Sequence, residues 1–448
     1  MTSIPGKGLG AGLFVGAVGL LALMTLGATL ELSQLLNELW ASFPAPLGGA
    51  GLVLVGGFVT LAVAGLFSLL RLPLRWAVAL AFVVLLATRT GALLLVEPAL
   101  LRDQAAYDFL ARGVLDGECC FGVRAMGYPI LVAVAYALGL SGKVVGFAFA
   151  LAAGPLLYAL GKRLASERAG VIAVYGYAVA PSLVLYSGVL MTETVYATIL
   201  LAAAWAATGV LKDTRAGLAG ALLGVSQYVR ATSIYLAPAF LLPMVMRRAW
   251  RQAGIFTATL VLALVPVVVA TGGLSTSTVG GLSLLMGTNQ QHGGRYNHDD
   301  VALYSTWGAD REQRATQEAV ARIVSDPIGF VALAVRKSHI MWTEEYYGVQ
   351  FALADAGAPE RDLAPARLVS QIVYVTVLMG AALTAWKLRR ERPELVVLIL
   401  AIFVTVFGIH TLAEVQHRFH AYVVPLFIVL AAANVRRRPS DLRDPSKG

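Results

Sequence analysis

Asp103 and Tyr107 stand four residues apart at the head of a dense run of charge in this 448-residue chain. Asp108, Arg112, Asp116, Glu118 and Arg124 follow closely. Four-residue spacing puts Asp103 and Tyr107 on one face of a helix, together with Leu110 and Val114. A carboxylate on such a face can take a proton from a hydroxyl, and an arginine nearby can grip a phosphate through paired hydrogen bonds. An aspartate at a helix start can equally be an ordinary cap on the first turn. Gly117 ends the predicted helix, and Gly127-Tyr128-Pro129 opens a second, short one with proline near its first turn.

Other ionisable residues stand isolated among apolar runs. Glu193 begins one such run, where the helix dipole also favours a carboxylate. Arg230 lies alone between two runs, and an arginine there is costly unless it meets a partner. Arg89 sits inside a third run, and the same cost leads us to expect it on a carboxylate of the polar loop that follows. Near the C-terminus, His417-Arg418-Phe419-His420 sets an arginine between two histidines. Its planar guanidinium suits a phosphate better than a point charge would. His298, Asp299 and Asp300 are contiguous, which is poor geometry for a metal, so none is indicated. Cys119 and Cys120 are adjacent and offer neither a disulfide framework nor zinc spacing.

The elements that must position these residues are membrane helices. Hydrophobic residues make up 58% of the chain and charged ones 14%, against about 25% charged in an ordinary soluble domain. Mean hydropathy is +0.73. Apolar runs of about 20 residues recur, each long enough to cross about 30 Å of hydrocarbon as a helix. The net charge of +9 comes from short basic clusters at the ends of apolar runs. That is topology signal rather than a nucleic-acid footprint, and no nucleic acid is expected as a partner. The first apolar run has no small-residue cleavage site and is read as a retained helix.

Spans are expected near 9–30, 48–70, 76–96, 143–163, 169–189, 193–211, 215–229, 231–247, 252–271, 366–386, 394–413 and 420–435. The run 128–140 is too short to cross and is read as re-entrant or interfacial. With it excluded, the clusters at Arg71/Arg75, Lys162/Arg163/Arg168, Lys212/Arg215, Arg247/Arg248/Arg251, Lys387–Arg392 and Arg436–Arg438 fall on one side. The positive-inside rule makes that side cytoplasmic, with both termini there. The chain then divides into two N-terminal spans (1–75), a transmembrane module (76–271) with its first outer loop at 97–142, an outer segment (272–365), and C-terminal spans with a basic tail (366–448). Within the outer segment, 310–324 reads as an amphipathic surface helix and the stretch after it as an interfacial helix carrying Arg336 and Lys337. Five of the six histidines fall outside, with His410 near the same surface.

Ordered motifs along this frame resemble a known family. The pattern D-x3-Y-x3-A-R from Asp103 is followed by the G-Y-P helix and then by L-x-Y-A-x-G-K-R. Next come A-P-S-L-V-L-Y-S-G-x-L-M-T-E ending at Glu193, G-T-N-x3-G-G-R-Y-N from Gly287, and H-R-F-H-A-Y-V-V-P-L from His417. The set is similar to polyprenyl-phosphate-dependent glycosyltransferases of the GT-C superfamily, in the branch of protein O-mannosyltransferases and lipid A aminoarabinose transferases, glycosyltransferase family 39. The resemblance runs from about Arg89 to Leu430, and the first two spans have no counterpart in the family's minimal core.

The resemblance implies an all-α polytopic transmembrane bundle in a bacterial or archaeal plasma membrane, with its active site on the extracytoplasmic face and a role in cell-envelope glycan biosynthesis. It implies transfer of a sugar from a polyprenyl-phosphate donor to a hydroxyl of a lipid, glycan or protein. Asp103 matches the family's catalytic acid residue, which would act as general base in an inverting reaction, and Glu193 matches its second acidic position. Tyr107, Arg124, Tyr128, Arg230, Lys337, His417, Arg418 and His420 are expected to contact substrate, with Arg124, Lys337 and Arg418 near the donor phosphate and Arg230 on a lipid phosphate or Glu193. His292, Arg295, Tyr296 and Asn297, in the glycine-rich loop, are expected to contact the sugar, although that loop also reads as a solvated one. No cofactor is expected. The rival reading is a transporter or flippase of a lipid-linked anionic glycan, against which stand the absence of an internal repeat and the gathering of polar residues on one face.

Overall fold

The computed structural model describes residues 9–41, 48–97, 99–118, 124–209, 212–271, 279–391 and 393–435. Cys119, Cys120 and the basic tail from Arg436 lie outside them. Among the described residues the chain is helical, without strands. Long apolar helices run as α1 (Leu9–Ala41), α2 (Gly48–Arg71) and α3 (Leu74–Leu95). The charged loop then contributes two short ones, α4 (Arg102–Leu115) and α5 (Gly127–Ala137), packed against each other. Gly117 follows the end of α4 with a φ of 79°. The 11 residues of α5 span about 16 Å, about half the hydrocarbon thickness.

The central module follows as α6 (Lys143–Leu164), α7 (Glu167–Val179), α8 (Pro181–Tyr186), α9 (Glu193–Ala207), α10 (Asp213–Ser226), α11 (Ala237–Met246) and α12 (Trp250–Thr271). The span expected at 169–189 is therefore broken. Ala180 turns extended and Pro181 starts a new helix at its first position, because the proline ring pushes the preceding residue out of the helical region. The span expected at 231–247 is continuous but short: a 3₁₀ turn at Ser233–Leu236 runs directly into α11. Between α10 and α12, Gly220 and Gly224 permit a close crossing: a β-carbon on Gly220 would lie 2.1 Å from the Phe256 carbonyl oxygen. Such small-residue contacts drive helix association where lipid removes any hydrophobic gain.

After α12 comes the polar segment, with α13 (Gly280–Gly287), α14 (His298–Thr306), α15 (Arg311–Ser325), α16 (Pro327–Trp342) and α17 (Tyr347–Val349). Its helix starts are written in the sequence. The Asn297 side chain accepts from the Asp300 backbone N–H at 2.8 Å. Asp326 accepts from Gly329 at 2.9 Å, with Pro327 in the first turn. The amphipathic helix read at 310–324 is α15, whose Ala315 and Ala319 are buried while its charged face is exposed. The chain closes with α18 (Glu360–Lys387), α19 (Glu394–Leu412) and α20 (Val424–Ala432).

Among the described residues, seven helices are long and apolar enough to cross a membrane: those around Gly12–Glu38, Val53–Arg71, Leu74–Leu95, Lys143–Leu164, Trp250–Val269, Asp362–Lys387 and Glu394–Leu412. Segments near the other five expected spans form shorter helices. α1 packs along α18 and also touches α16 and α19. The two N-terminal helices are thus part of the bundle. Arg89, fully buried in α3, does not reach a loop carboxylate. Its Nη2 donates to the Tyr177 carbonyl oxygen at 2.8 Å, and its guanidinium lies 4.3 Å from the centre of the Tyr177 ring. The arginine finds its partner one helix away in α7, where a carbonyl and a π face are available inside the bundle.

Candidate active site

Five charged residues from five separate stretches meet at one end of the bundle. Asp103, the second residue of α4, does not cap its helix; Leu101 holds the cap position, without a side-chain bond. The Asp103 carboxylate instead receives Arg124 Nη2 on Oδ1 at 2.5 Å and Arg418 Nη2 on Oδ2. Glu193, the first residue of α9 and buried, faces Arg230 Nη1 at 3.4 Å and Arg418 Nη1 at 3.6 Å through the same oxygen. Three guanidiniums therefore contact two carboxylates, and Arg418 bridges them. Burial alone would raise the Asp103 carboxyl, but Arg418 and Arg124 outweigh it and hold it at about 2.

Aromatic rings line this cluster. Arg230 lies over the rings of Tyr196, Phe419 and Tyr422 at 4.9–5.9 Å. Arg124 lies 5.3 Å from the Tyr107 ring centre, and Tyr107 meets Tyr128 edge to face at 5.1 Å. Tyr128 is fully buried. Rings of this kind give a desolvated wall that strengthens every charge interaction they enclose. The backbone leading into α4 is itself unusual: Leu100 and Arg102 have φ of 46° and 53°. For side chains other than glycine, that region is sparsely populated and concentrates at functional sites.

Residues 124–271 match the family described as dolichyl-phosphate-mannose-protein mannosyltransferase. That stretch holds Arg124, Tyr128, Glu193 and Arg230 but neither Asp103 nor Arg418. No curated protein matches the chain by sequence. Among solved structures, it is similar to the archaeal oligosaccharyltransferase AglB from Archaeoglobus fulgidus in complex with an inhibitory peptide and a dolichol-phosphate. The TM-score is 0.50 at 15% identity, over 80% of this chain and 50% of that one. The chain thus spans about half the length of that relative, and the likeness is one of fold.

The remaining expected residues sit outside the five-residue cluster. Lys337 is buried in α16, where its ammonium donates to the carbonyls of Gly287 at 2.7 Å and Thr411 at 2.8 Å. Burial pushes its pKa down to about 7, against a weaker upward pull from Glu414. His420 is also buried, its Nε2 2.5 Å from Glu345, whose other oxygen accepts from Ser182 at 2.5 Å. Its neighbour His417 meets Glu344 at 3.0 Å and stacks on Tyr347, ring centres 5.3 Å apart. In the glycine-rich loop, His292 pairs with Asp299 at 2.8 Å, Asn297 is the cap of α14, and Arg295 and Tyr296 are exposed. Gly293 and Gly294 carry φ of 64° and 71° there. A β-carbon on Gly294 would lie 2.6 Å from the Lys337 side chain, so only glycine lets the loop close over it.

Several residues of the site escaped the sequence reading. Gln104, beside Asp103, is buried and ties α4 inward, donating to the Phe351 carbonyl at 3.1 Å and accepting from Leu190 N–H at 3.3 Å. Phe351 lies 5.4 Å beneath Arg418. Gln416 Oε1 accepts from Arg418 Nε at 2.8 Å, and its Nε2 donates to Glu414 at 2.6 Å. The only signal for the last pair was their place two and four residues before Arg418. Among the described residues, no three His, Cys, Asp or Glu side chains are grouped so as to hold a metal ion.

Proposed function

We propose that this chain transfers a glycosyl group from a polyprenyl-phosphate donor to a hydroxyl on a lipid, glycan or protein, at the extracytoplasmic surface. The observation that carries this reading is the meeting of Asp103 and Glu193 with Arg124, Arg230 and Arg418. The dolichyl-phosphate family match and a fold shared with a structure solved with dolichol-phosphate support a lipid-linked donor.

The chemistry follows from charge. A sugar on a polyprenyl phosphate is a phosphodiester with one negative charge. In the reaction, the acceptor hydroxyl gives its proton to Asp103 and its oxygen attacks the anomeric carbon from the face opposite the phosphate. The bond from that carbon to the phosphate oxygen breaks, and its electron pair leaves with the polyprenyl phosphate, which gains a second negative charge. Guanidiniums stabilise charge that grows in this way, and backside attack inverts the anomeric centre.

Both oxygens of Asp103 are taken by Arg124 and Arg418, and at about 2 its carboxyl is a weak base. Catalysis by a base is most effective when its pKa lies near the working pH. In this reading, the donor phosphate draws Arg418 and Arg124 onto its own oxygens, which frees an Asp103 oxygen and raises its basicity. Glu193, which a leaving phosphate would repel, stays on the acceptor side of the sugar beside Arg230.

The test is transfer. Purified protein is incubated with a panel of radiolabelled polyprenyl-phosphate sugars and membrane extract, beside the Asp103→Asn variant. Label moving to a new product with the wild type alone supports the reading. Donor crossing liposome bilayers without any transfer would replace it with a flippase.

A further inference from the structure

We infer that Gln416 is a positioning residue for the donor-phosphate grip of Arg418; the inference rests on the donor reading above. Arg418 has three nitrogens to place, and each has an assigned partner. Nη2 goes to Asp103, Nη1 faces Glu193 at 3.6 Å, and Nε donates to Gln416 Oε1 at 2.8 Å. A guanidinium is a rigid plane, so fixing Nε fixes the direction of the two terminal nitrogens. The remaining contacts of this side chain, the Phe351 and Phe419 rings and the Met191 sulfur at 3.8 Å, pack it without setting its rotation about the Nε axis.

The amide of Gln416 is itself held in one orientation. Its oxygen must face a donor, Arg418 Nε, and its nitrogen must face an acceptor, the Glu414 carboxylate at 2.6 Å. A flipped amide would break both bonds at once. Glu414 is anchored in turn by its backbone: its N–H donates to the Ser283 carbonyl at 2.7 Å and its carbonyl accepts from His410 Nδ1 at 2.9 Å. The next residue, Val415, donates to the Gly294 carbonyl at 2.9 Å. A continuous chain of bonds thus runs from α13 and the glycine-rich loop through Glu414 and Gln416 to the guanidinium that bridges Asp103 and Glu193. Gln416 sets the grip while touching neither reacting centre.

A double-mutant cycle tests this, because a lysine at 418 has no Nε–H for Gln416 to hold. Binding of a short-chain polyprenyl monophosphate to the full-length protein in detergent is the readout, with thermal unfolding as the check on folding. Gln416→Leu should weaken binding about tenfold in the Arg418 protein, the loss of one hydrogen bond to a charged group. In the Arg418→Lys background the same change should alter binding by less than about twofold, a large interaction energy between the sites. The same loss in both backgrounds, or no loss in the Arg418 protein, overturns the role of Gln416 while leaving the donor site standing. If Arg418→Lys and Arg418→Ala both bind as the wild type does, the donor reading fails and this inference with it.

Discussion

Asp103 and Arg418 are separated by 315 residues and share one of the short contacts of the molecule, Oδ2 to Nη2. With Arg124 on the other oxygen, the carboxylate is closed on both sides. Asp103→Asn should therefore do two things. Transfer should fall by about 10²–10⁴-fold, the usual contribution of a general base. Turnover measured at saturating donor checks that figure.

The same variant also makes a prediction about acid stability. The Asp103 carboxyl is held at about 2, below its ordinary value of 3.8. A depressed carboxyl contributes stability above its unfolded pKa and loses it as pH falls through the folded one. The contribution is about 2 kcal/mol at neutral pH. Thermal unfolding should show wild type exceeding Asp103→Asn at pH 7, with the gap closing between about pH 4 and pH 2. A gap that does not change over that window would mean the guanidiniums do not depress Asp103.

Much of the cluster could be read before the fold was known. Each of Asp103, Glu193, Arg124, Arg230 and Arg418 interrupts or borders an apolar run, and an ion at membrane depth must find a partner. That argument says that charges meet, without saying which ones. Arg89 obeyed it with a carbonyl and a tyrosine ring, and His420 with a glutamate inside the core. Their partners come from packing between distant segments, which periodicity does not encode. The helix end at Gly117 was legible in local chemistry, whereas the caps at Asn297 and Asp326 were not read as such. The break inside an apolar run at Pro181 was hidden by hydropathy averaged over the whole run.

Glu193 and Arg230 form a pair whose partners are separable by mutation. Glu193→Gln leaves the half-buried Arg230 with its rings but without its carboxylate, which should lower stability. Adding Arg230→Gln should return part of that stability in thermal unfolding, because neither charge is then left alone. Transfer should stay low in both proteins, since the acceptor side has lost its carboxylate. Full activity in the double variant would make the pair purely structural.

Gly294 and Gly117 both have positive φ, and their surroundings differ. A β-carbon on Gly117 meets open space, whereas one on Gly294 runs into the Lys337 side chain. Gly117→Ala should cost about 1 kcal/mol, the strain of a left-handed backbone alone. Gly294→Ala should cost more, about 2–4 kcal/mol, with overpacking added, and should also weaken donor binding, because the loop holds Val415 and through it the 414–418 turn. Equal losses at the two glycines would show that the loop does not press on Lys337.

Topology is the prediction with the widest consequences, since the proposed face of the reaction depends on it. The segments 97–142 and 272–365 should lie outside the cell, and α5 should not cross. Leu140 is exposed just past α5, and Lys212 is exposed at the start of α10, one of the basic clusters assigned to the cytoplasm. In a protein with Cys119 and Cys120 replaced by serine, Leu140→Cys should react with a membrane-impermeant thiol reagent on whole cells. Lys212→Cys should react only after the membrane is opened. Ser166 is a poorer inner site, because its hydroxyl caps α7 through the Ala169 N–H at 3.2 Å and a cysteine there would disturb that helix. Labelling of both positions in intact cells would mean that an odd number of the segments between them fails to cross. Labelling of Lys212→Cys alone would put α5 across the membrane as a bent or paired span and move the basic clusters after it to the outside. Asp103 and Arg418, which touch, would then have to be reached from the opposite face, and the extracytoplasmic assignment would be lost with the topology.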